Sequence, residues 1–152
     1  MLNIECVISG GQTGVDRAAL DWAIAQQIPH GGWCPLGRID EDGVIDAKYM
    51  LTEISSPKYV IRTKKNITDS DGTLVLNVGE LDGGTAMTER HARNISKPCL
   101  VVQLDSSDVD AHAAVKRWLA EYQIKRLNVA GPRESKRPGV HFTALTWLNG
   151  LN

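Results

Sequence analysis

Cysteine is scarce in this sequence, and its three copies, Cys6, Cys34 and Cys99, show no CxxC spacing. An odd, scattered set does not fit a disulfide framework or a zinc site and is typical of reduced thiols in the cytoplasm. Long apolar runs are also missing, and the N-terminus lacks the basic segment of a signal peptide. We therefore expect a cytoplasmic protein with no membrane association.

An excess of charge of either sign is lacking as well, since the formal net charge is −1. General nucleic-acid binders are normally basic, so we expect no nucleic-acid partner. The histidines show no metal-ligand spacing, which predicts no dedicated metal site. What is present is enough apolar material, 42% of 152 residues, to bury one sizeable core. No linker or repeat interrupts the chain, and we expect a single domain over residues 1–152.

Short apolar segments alternate with amphipathic ones along the chain. The predicted strands are Ile4–Ile8, Ile28–Trp33, Tyr59–Ile61, Thr73–Val78, Cys99–Gln103 and Arg126–Ala130. The predicted helices are Gly14–Gln27, a short one near Ala47–Leu51, then Lys64–Ser70, Gly84–Ile95, Asp108–Tyr122 and Gly139–Leu148. Several strands are apolar nearly throughout, as strands covered on both faces are. The alternation predicts an α/β fold with a mainly parallel sheet of five to six strands.

A glycine-rich loop follows the first predicted strand and runs directly into the first predicted helix. Its residues are Ser9, Gly10, Gly11, Gln12, Thr13 and Gly14. Glycines let backbone N–H groups approach a ligand closely, and a helix N-terminus carries partial positive charge. The loop has no Gly-Lys-Ser/Thr and is not a complete GxGxxG, so it is neither a P-loop nor a dinucleotide fingerprint. It indicates a site for a phosphate or another oxyanion.

Two further glycine loops follow predicted strands, at residues 79–85 and 131–135. Right-handed crossovers place all loops that follow parallel strands at one edge of the sheet. Ligands of open α/β sheets bind at that edge. We therefore expect the three loops to form one shared pocket.

Asp16 and Arg17 lie in the first turn of the first predicted helix. Thr13 and Asp16 fit a capping box, in which Thr13 caps the helix and Asp16 reaches back. Asp16 is equally a candidate for binding a ligand hydroxyl or acting as an acid–base group. Arg17 is either a solvated helix residue or a charge that reaches a phosphate.

Thr85, Thr88 and Glu89 open the helix that follows Gly83 and Gly84. Residues three and four apart share a helix face, so all three side chains can face the strand edge. Ordinary capping is the alternative, but a plain cap does not need the preceding glycine pair. Glu89 is a second candidate acid–base residue.

The last loop carries Gly131, Pro132, Arg133 and Ser135. Arginine binds oxyanions bidentately, which makes Arg133 a candidate ligand contact, although a solvated basic loop is the alternative. The roles of the neighbouring residues Lys136 and Arg137 stay open.

Polar residues near two other strands are further candidates. Arg38 follows the second predicted strand and is a candidate for the pocket rim, while Cys34 is expected to be a small buried residue. Asn66 and Ser70 precede an Asp-Gly turn signal and are included as ligand candidates.

The chain resembles the molybdenum-cofactor carrier family in the motifs Ser9–Asp16, Gly37-Arg38 with Glu41-Asp42-Gly43, Ser70–Thr73, Gly83–Thr85 and Gly131–Ser135. This family is the circularly permuted YpsA-like branch of the SLOG superfamily. The resemblance covers almost the whole chain and implies a Rossmann-like three-layer α/β/α sandwich. It also implies binding of molybdenum cofactor, a phosphorylated pterin that carries molybdenum, or of a nucleotide.

The wider superfamily includes LOG-type phosphoribohydrolases with a Gly-Gly-x-Gly-Thr-x-x-Glu signature. Here Thr85 is followed by Thr88 three residues on and by Glu89 four residues on. One position rotates a side chain by about 100° around the helix, which puts hydrolysis through Glu89 in doubt. Three hypotheses result: a carrier, a nucleotide-derivative hydrolase using Glu89 or Asp16, and a nucleotide sensor. The lack of a paired nucleophile and base favours binding.

The resemblance also implies a homo-oligomer, a dimer or a tetramer. Trp22, Trp118 and Trp147 lie on predicted helices that can form an interface, although packing onto the sheet is the simpler expectation.

Overall fold

The computed structural model describes residues 2–152 and has an α/β architecture. Its strands are β1 Cys6–Ile8, β2 His30–Gly31, β3 Trp33–Cys34, β4 Ile39–Asp40, β5 Gly43–Val44, β6 Thr52–Glu53, β7 Gly72–Asn77, β8 Cys99–Gln103 and β9 Arg126–Ala130. Its helices are α1 Val15–Ala25, α2 Tyr59–Asp69, α3 Gly83–Asn94, α4 Ala111–Glu121 and α5 Val140–Asn149. The alternation predicted from the sequence is therefore present.

Five strands form one parallel sheet in the order β2-β1-β9-β7-β8. The strand nearest the C-terminus, β9, lies in the middle, with Leu127 opposite Val7 on one side and Gly72 on the other. Strands β1, β9 and β7 are therefore neighbours, and the glycine loops that follow them meet at the same edge of the sheet.

The two faces of the sheet differ in chemistry. On one face, α1, α4 and α5 cover an apolar core that includes Trp22, Leu74, Trp118 and Leu148. The other face, beneath α2 and α3, buries polar groups, and Asn128 Nδ2 donates a hydrogen bond to Thr73 Oγ1 at 3.2 Å. The three layers give the Rossmann-like sandwich that was expected, and Trp22 and Trp118 pack within it.

Two predicted elements are wrong. The expected strand Tyr59–Ile61 is the first turn of α2, because the buried residues of this segment, Arg62, Asn66 and Ile67, follow helical spacing. A three-residue apolar run cannot by itself distinguish a strand from a helix. The expected helix near residues 47–51 is a turn within an excursion that joins β5 to β6.

The predicted strand Ile28–Trp33 is divided. His30–Gly31 joins the main sheet, whereas Trp33–Cys34 pairs with Thr52–Glu53 in a separate two-stranded sheet. Strands β4 and β5 form a small antiparallel hairpin. The tip of this hairpin approaches the glycine loops and contributes to the site described next.

Candidate ligand-binding site

A cavity of about 400 Å³ opens where the three glycine loops meet α2 and α3. Small-molecule sites have volumes of about 300–1,000 Å³, so this cavity is large enough for a small ligand. The lining residues are Gln12, Asp16, Tyr59, Val60, Arg62, Thr63, Gly83, Gly84, Thr85, Met87, Thr88, Ala130, Gly131, Pro132, Arg133 and Lys136.

The residues proposed from the sequence fall into two groups. Those that line the cavity are Gln12, Asp16, Gly83, Gly84, Thr85, Thr88, Gly131, Pro132 and Arg133. Those outside its lining are Ser9, Gly10, Gly11, Thr13, Gly14, Arg17, Arg38, Asn66, Ser70, Glu89 and Ser135. Each of the three loops therefore contributes to the cavity, but only part of the first one does.

The first glycine loop satisfies most of its own N–H groups. Gly11 N donates to Ser9 Oγ at 3.2 Å, and Thr13 N donates to Gln12 Oε1 at 3.0 Å. Gln12 N donates to Asp16 Oδ2 at 3.4 Å. The Asp16 carboxylate thus supplies the negative charge beside this loop, where the sequence had suggested an external oxyanion.

The expected capping box between Thr13 and Asp16 does not form. The helix begins after Gly14 without a side-chain cap. The Thr13 hydroxyl instead donates to Glu41 at the hairpin tip and accepts a hydrogen bond from Glu134 N at 3.1 Å. These contacts join the first glycine loop to the last one.

Two arginines proposed as ligand contacts form hydrogen bonds with other groups of the protein. Arg17 Nη2 donates to Gly11 O at 2.9 Å and to Asp40 Oδ2 at 2.5 Å. The guanidinium of Arg38 donates to three backbone carbonyls, those of Asp46, Tyr49 and Leu51. Both side chains hold the excursion that carries the β4–β5 hairpin.

The remaining proposed residues outside the cavity also have protein partners. Asn66 pairs with both the N–H and the carbonyl of Trp33, at 2.7 and 3.0 Å. Glu89 accepts a hydrogen bond from Arg93 Nε at 2.8 Å, in a separate shallow groove on the surface of α3. The remaining partners are the Ile67 carbonyl for Ser70 and the Glu41 carboxylate for Ser135.

The cavity contains one charged residue that the sequence analysis missed, Arg62 on α2. Its side chain is 9% exposed, and its Nη1 atom lies 3.6 Å from Asp16 Oδ2 and donates to Thr63 Oγ1 at 2.7 Å. Arg62 Nε is buried and has no hydrogen-bond partner within residues 2–152. Arg62 lies between the predicted strand Tyr59–Ile61 and the predicted helix Lys64–Ser70, so neither prediction included it. The spacing of four residues between Arg62 and Asn66 is the helical signal that would have identified it.

The guanidinium of Arg62 lies directly against Gly10. A Cβ atom at Gly10 would come within 2.4 Å of Arg62 Nη1. Gly10 therefore serves the close approach of a protein side chain, because any larger residue would displace the guanidinium from its place beside Asp16.

Asp16 is a buried carboxyl in this cavity, and burial raises its pKa. The charge of Arg62, the Gln12 N–H and the charge of Arg17 oppose that rise in part. Since burial disfavours the charged form, the net shift of the pKa is upward. Asp16 is the one carboxylate among the lining residues of the cavity.

The N-terminus of α3 offers backbone donors to the cavity. Ala86 is the first residue of α3 whose backbone N–H has an acceptor, and it donates to Asp82 O at 3.0 Å. Within residues 2–152, the N–H groups of Gly83, Gly84 and Thr85 have no acceptor, and α3 has no side-chain cap. Such a terminus attracts an anion.

A lysine lies at this helix terminus, and two arginines line the same cavity. Lys136 Nζ lies 3.0 Å from Asp82 Oδ1 and close above Gly83. Arg133 is half-exposed, and its Nε atom lies 3.7 Å from Glu41 Oε2. With Arg62, three cations line the cavity against one carboxylate. Among the lining residues the cations therefore outnumber the carboxylates, and each cation also has a carboxylate oxygen within 4 Å.

Within residues 2–152, no group of three or more His, Cys, Asp or Glu side chains is arranged to hold a metal ion. None of the helices in the same range is long and apolar enough to cross a membrane.

Comparison with known proteins identifies the family. A family model described as the circularly permutated YpsA SLOG family matches residues 7–151. The crystal structure of a protein from Syntrophus aciditrophicus SB, named "putative molybdenum carrier protein", is similar to this chain with a TM-score of 0.94 and 45% identity. The match covers 98% of this chain and 94% of the other. A search of curated proteins found no match. The chain belongs to the circularly permuted YpsA family of SLOG proteins.

Proposed function

We propose that this protein binds a small phosphorylated molecule in the cavity and carries it without chemical change, with the phosphorylated pterin of molybdenum cofactor as the cargo. The observation that carries the proposal is the N-terminus of α3. Three N–H groups there have no acceptor among residues 2–152, and their residues line a cavity that contains three cations and one carboxylate. A phosphate group supplies the acceptor oxygens that these donors lack.

The residues present fit a phosphorylated cargo. The α3 terminus and Lys136 form a phosphate end of the cavity, and the half-exposed Arg133 side chain also lines the cavity. Tyr59, Val60 and Met87 provide an apolar wall suited to a ring. The family and the name given to the similar Syntrophus protein support a molybdenum carrier.

Equilibrium binding of a pterin monophosphate and its dephosphorylated form tests the proposal. We expect the phosphorylated compound to bind more tightly, and Arg133→Ala to weaken it by about 1–3 kcal/mol, the scale of a hydrogen bond to a charged group. Arg117→Ala, at an exposed position on α4, is the matched control. Equal binding of the two compounds would show that the cavity does not bind phosphate. Native mass spectrometry of co-purifying ligands identifies the cargo directly.

Hydrolysis of a nucleotide derivative is the second candidate, and Asp16 is the observation that favours it. A buried carboxyl with a raised pKa is suited to act as a general acid. Incubation with nucleoside monophosphates distinguishes the two functions. A carrier releases no free base. Steady release that is lost in Asp16→Asn but retained in Glu89→Gln would replace the carrier by a hydrolase.

A further inference from the structure

The deep end of the cavity holds a donor and an acceptor side by side. Asp16 and Arg62 are both more than nine-tenths buried, and both line the cavity. Asp16 Oδ2 faces Gln12 N and Arg62 Nη1, whereas Asp16 Oδ1 receives no hydrogen bond within residues 2–152. Arg62 Nε has no acceptor in that range but is closed to solvent, so the unpaired donor that remains accessible is Arg62 Nη2, which makes no hydrogen bond there.

Buried polar groups are nearly always hydrogen-bonded in folded proteins. The Arg62–Asp16 separation of 3.6 Å is longer than a hydrogen bond, so the pair does not satisfy itself. The protein therefore presents hydrogen-bonding capacity of both kinds to whatever fills the deep end. A ligand group that matches it must offer N–H donors to the carboxylate and a carbonyl acceptor to the guanidinium.

We propose that Asp16 and Arg62 recognise the edge of a 2-amino-4-oxopyrimidine ring, the edge that guanine and pterin share. Asp16 accepts hydrogen bonds from the ring N–H and the adjacent amino group. Arg62 donates to the neighbouring carbonyl oxygen. The inference rests on the proposed function, since it places the ring of the phosphorylated ligand in the same cavity.

The surrounding walls suit a flat ring. Tyr59 lines the cavity, and the Arg62 guanidinium lies 5.5 Å from the centroid of its ring. Val60 and Met87 add apolar surface. The α3 terminus lines the same cavity, so a ligand with a phosphate at one end and a ring edge at the other engages both sets of donors.

An adenine edge fits this arrangement less well. It offers one amino donor beside a ring nitrogen that is an acceptor. Beside Asp16, that nitrogen and the carboxylate oxygen are both acceptors, so no hydrogen bond forms between them. Asp16 then receives one hydrogen bond from adenine, where guanine or pterin gives two. Unpaired buried groups are the strongest source of discrimination between similar ligands.

Equilibrium binding of guanosine, inosine and adenosine 5′-monophosphates tests the inference, because inosine differs from guanosine only by lacking the 2-amino group. We expect the guanosine compound to bind about 10- to 100-fold more tightly than the inosine compound, the range of a hydrogen bond to a charged group. Asp16→Asn should remove this preference by weakening guanosine monophosphate more than inosine monophosphate, since both share the ring N–H but only guanosine has the amino group. Glu121→Gln, at an exposed position, is the matched control.

Other outcomes distinguish recognition of the ring edge from binding of the phosphate group, on which the proposed function depends. Equal binding of all three nucleotides, each tighter than its nucleoside, would overturn ring-edge recognition and leave phosphate binding in place. Guanosine that binds as well as its monophosphate would overturn phosphate binding instead. A pterin monophosphate included in the same series shows which of the two rings is preferred. The wild-type comparison needs no variant, so it stands even if Asp16→Asn does not fold.

Discussion

Arg62 Nη1 lies 3.6 Å from Asp16 Oδ2, and both side chains are more than nine-tenths buried. The pair connects α2 to the first turn of α1 across the floor of the cavity. Each charge reduces the cost of burying the other, although no hydrogen bond joins them. The site thus keeps one cation and one carboxylate ready for a ligand while remaining nearly neutral at its deep end.

Removing Arg62 should destabilise the fold. Arg62→Met leaves the Asp16 carboxylate buried without its cation, and breaking a buried pair costs about 3–5 kcal/mol. Urea unfolding followed by circular dichroism measures the change. The double variant Arg62→Met with Asp16→Asn should recover part of the loss, since no uncompensated charge remains. A single variant as stable as wild type would show that the pair does not contribute, and Arg117→Met is the exposed control.

Asp16 should make stability depend on pH. Its pKa is raised in the folded protein because the carboxyl is buried, so the folded state binds this proton more tightly than the unfolded chain does. The contribution of the group is therefore most favourable below the ordinary pKa of aspartate and declines as pH rises through the raised value. Thermal unfolding across that range should show a shallower decline for Asp16→Asn. An identical pH profile for the variant would contradict the assignment.

Gly83 and Gly84 should respond differently to alanine. A Cβ at Gly84 meets nothing within 4 Å, and alanine in a helix is favoured over glycine by about 1 kcal/mol, so Gly84→Ala should preserve or raise stability. The same methyl group narrows the phosphate end and should weaken ligand binding. Gly83 has a φ of +49° and lies under Lys136, so Gly83→Ala should lower stability. Melting temperatures and ligand titrations of both variants check this contrast.

Glu41 should hold the first and last glycine loops together. It accepts hydrogen bonds from Thr13 Oγ1, from Ser135 Oγ and, at 3.0 Å, from Ser135 N. Burial acts to raise the pKa of Glu41, but these hydrogen bonds and the charge of Arg133 hold it below its ordinary value. Glu41→Ala should therefore cost about 1–2 kcal/mol at neutral pH.

The sign of the pH effect for Glu41 is opposite to that for Asp16. A carboxyl with a lowered pKa stabilises the fold above its ordinary pKa and loses that contribution as pH falls through the lowered value. The stability difference between wild type and Glu41→Ala should accordingly shrink in acid. Glu121→Ala, exposed on α4, should show no such convergence.

The fold was predictable wherever the apolar runs were long. Cys99–Gln103 and Arg126–Ala130 were predicted with the bounds that the structure has. Tyr59–Ile61 was wrong because three apolar residues at the start of a helix look like a short strand until the spacing of the buried residues beyond them is included. The excursion between β2 and α2 contains only two-residue strands, and strands this short show no alternation of polar and apolar residues from which they could be predicted.

By itself the sequence determined the α/β alternation, the three glycine loops and the family, because these depend on residue order and on local backbone preferences. Only the tertiary structure decided what each donor binds. It showed that the N–H groups around Gly11 are satisfied by nearby side chains, including the Asp16 carboxylate, whereas those of Gly83 to Thr85 have no acceptor in the part of the chain that the structure describes. It also brought Arg62 against Asp16, since a contact between residues 46 positions apart is set by how α2 packs on the sheet.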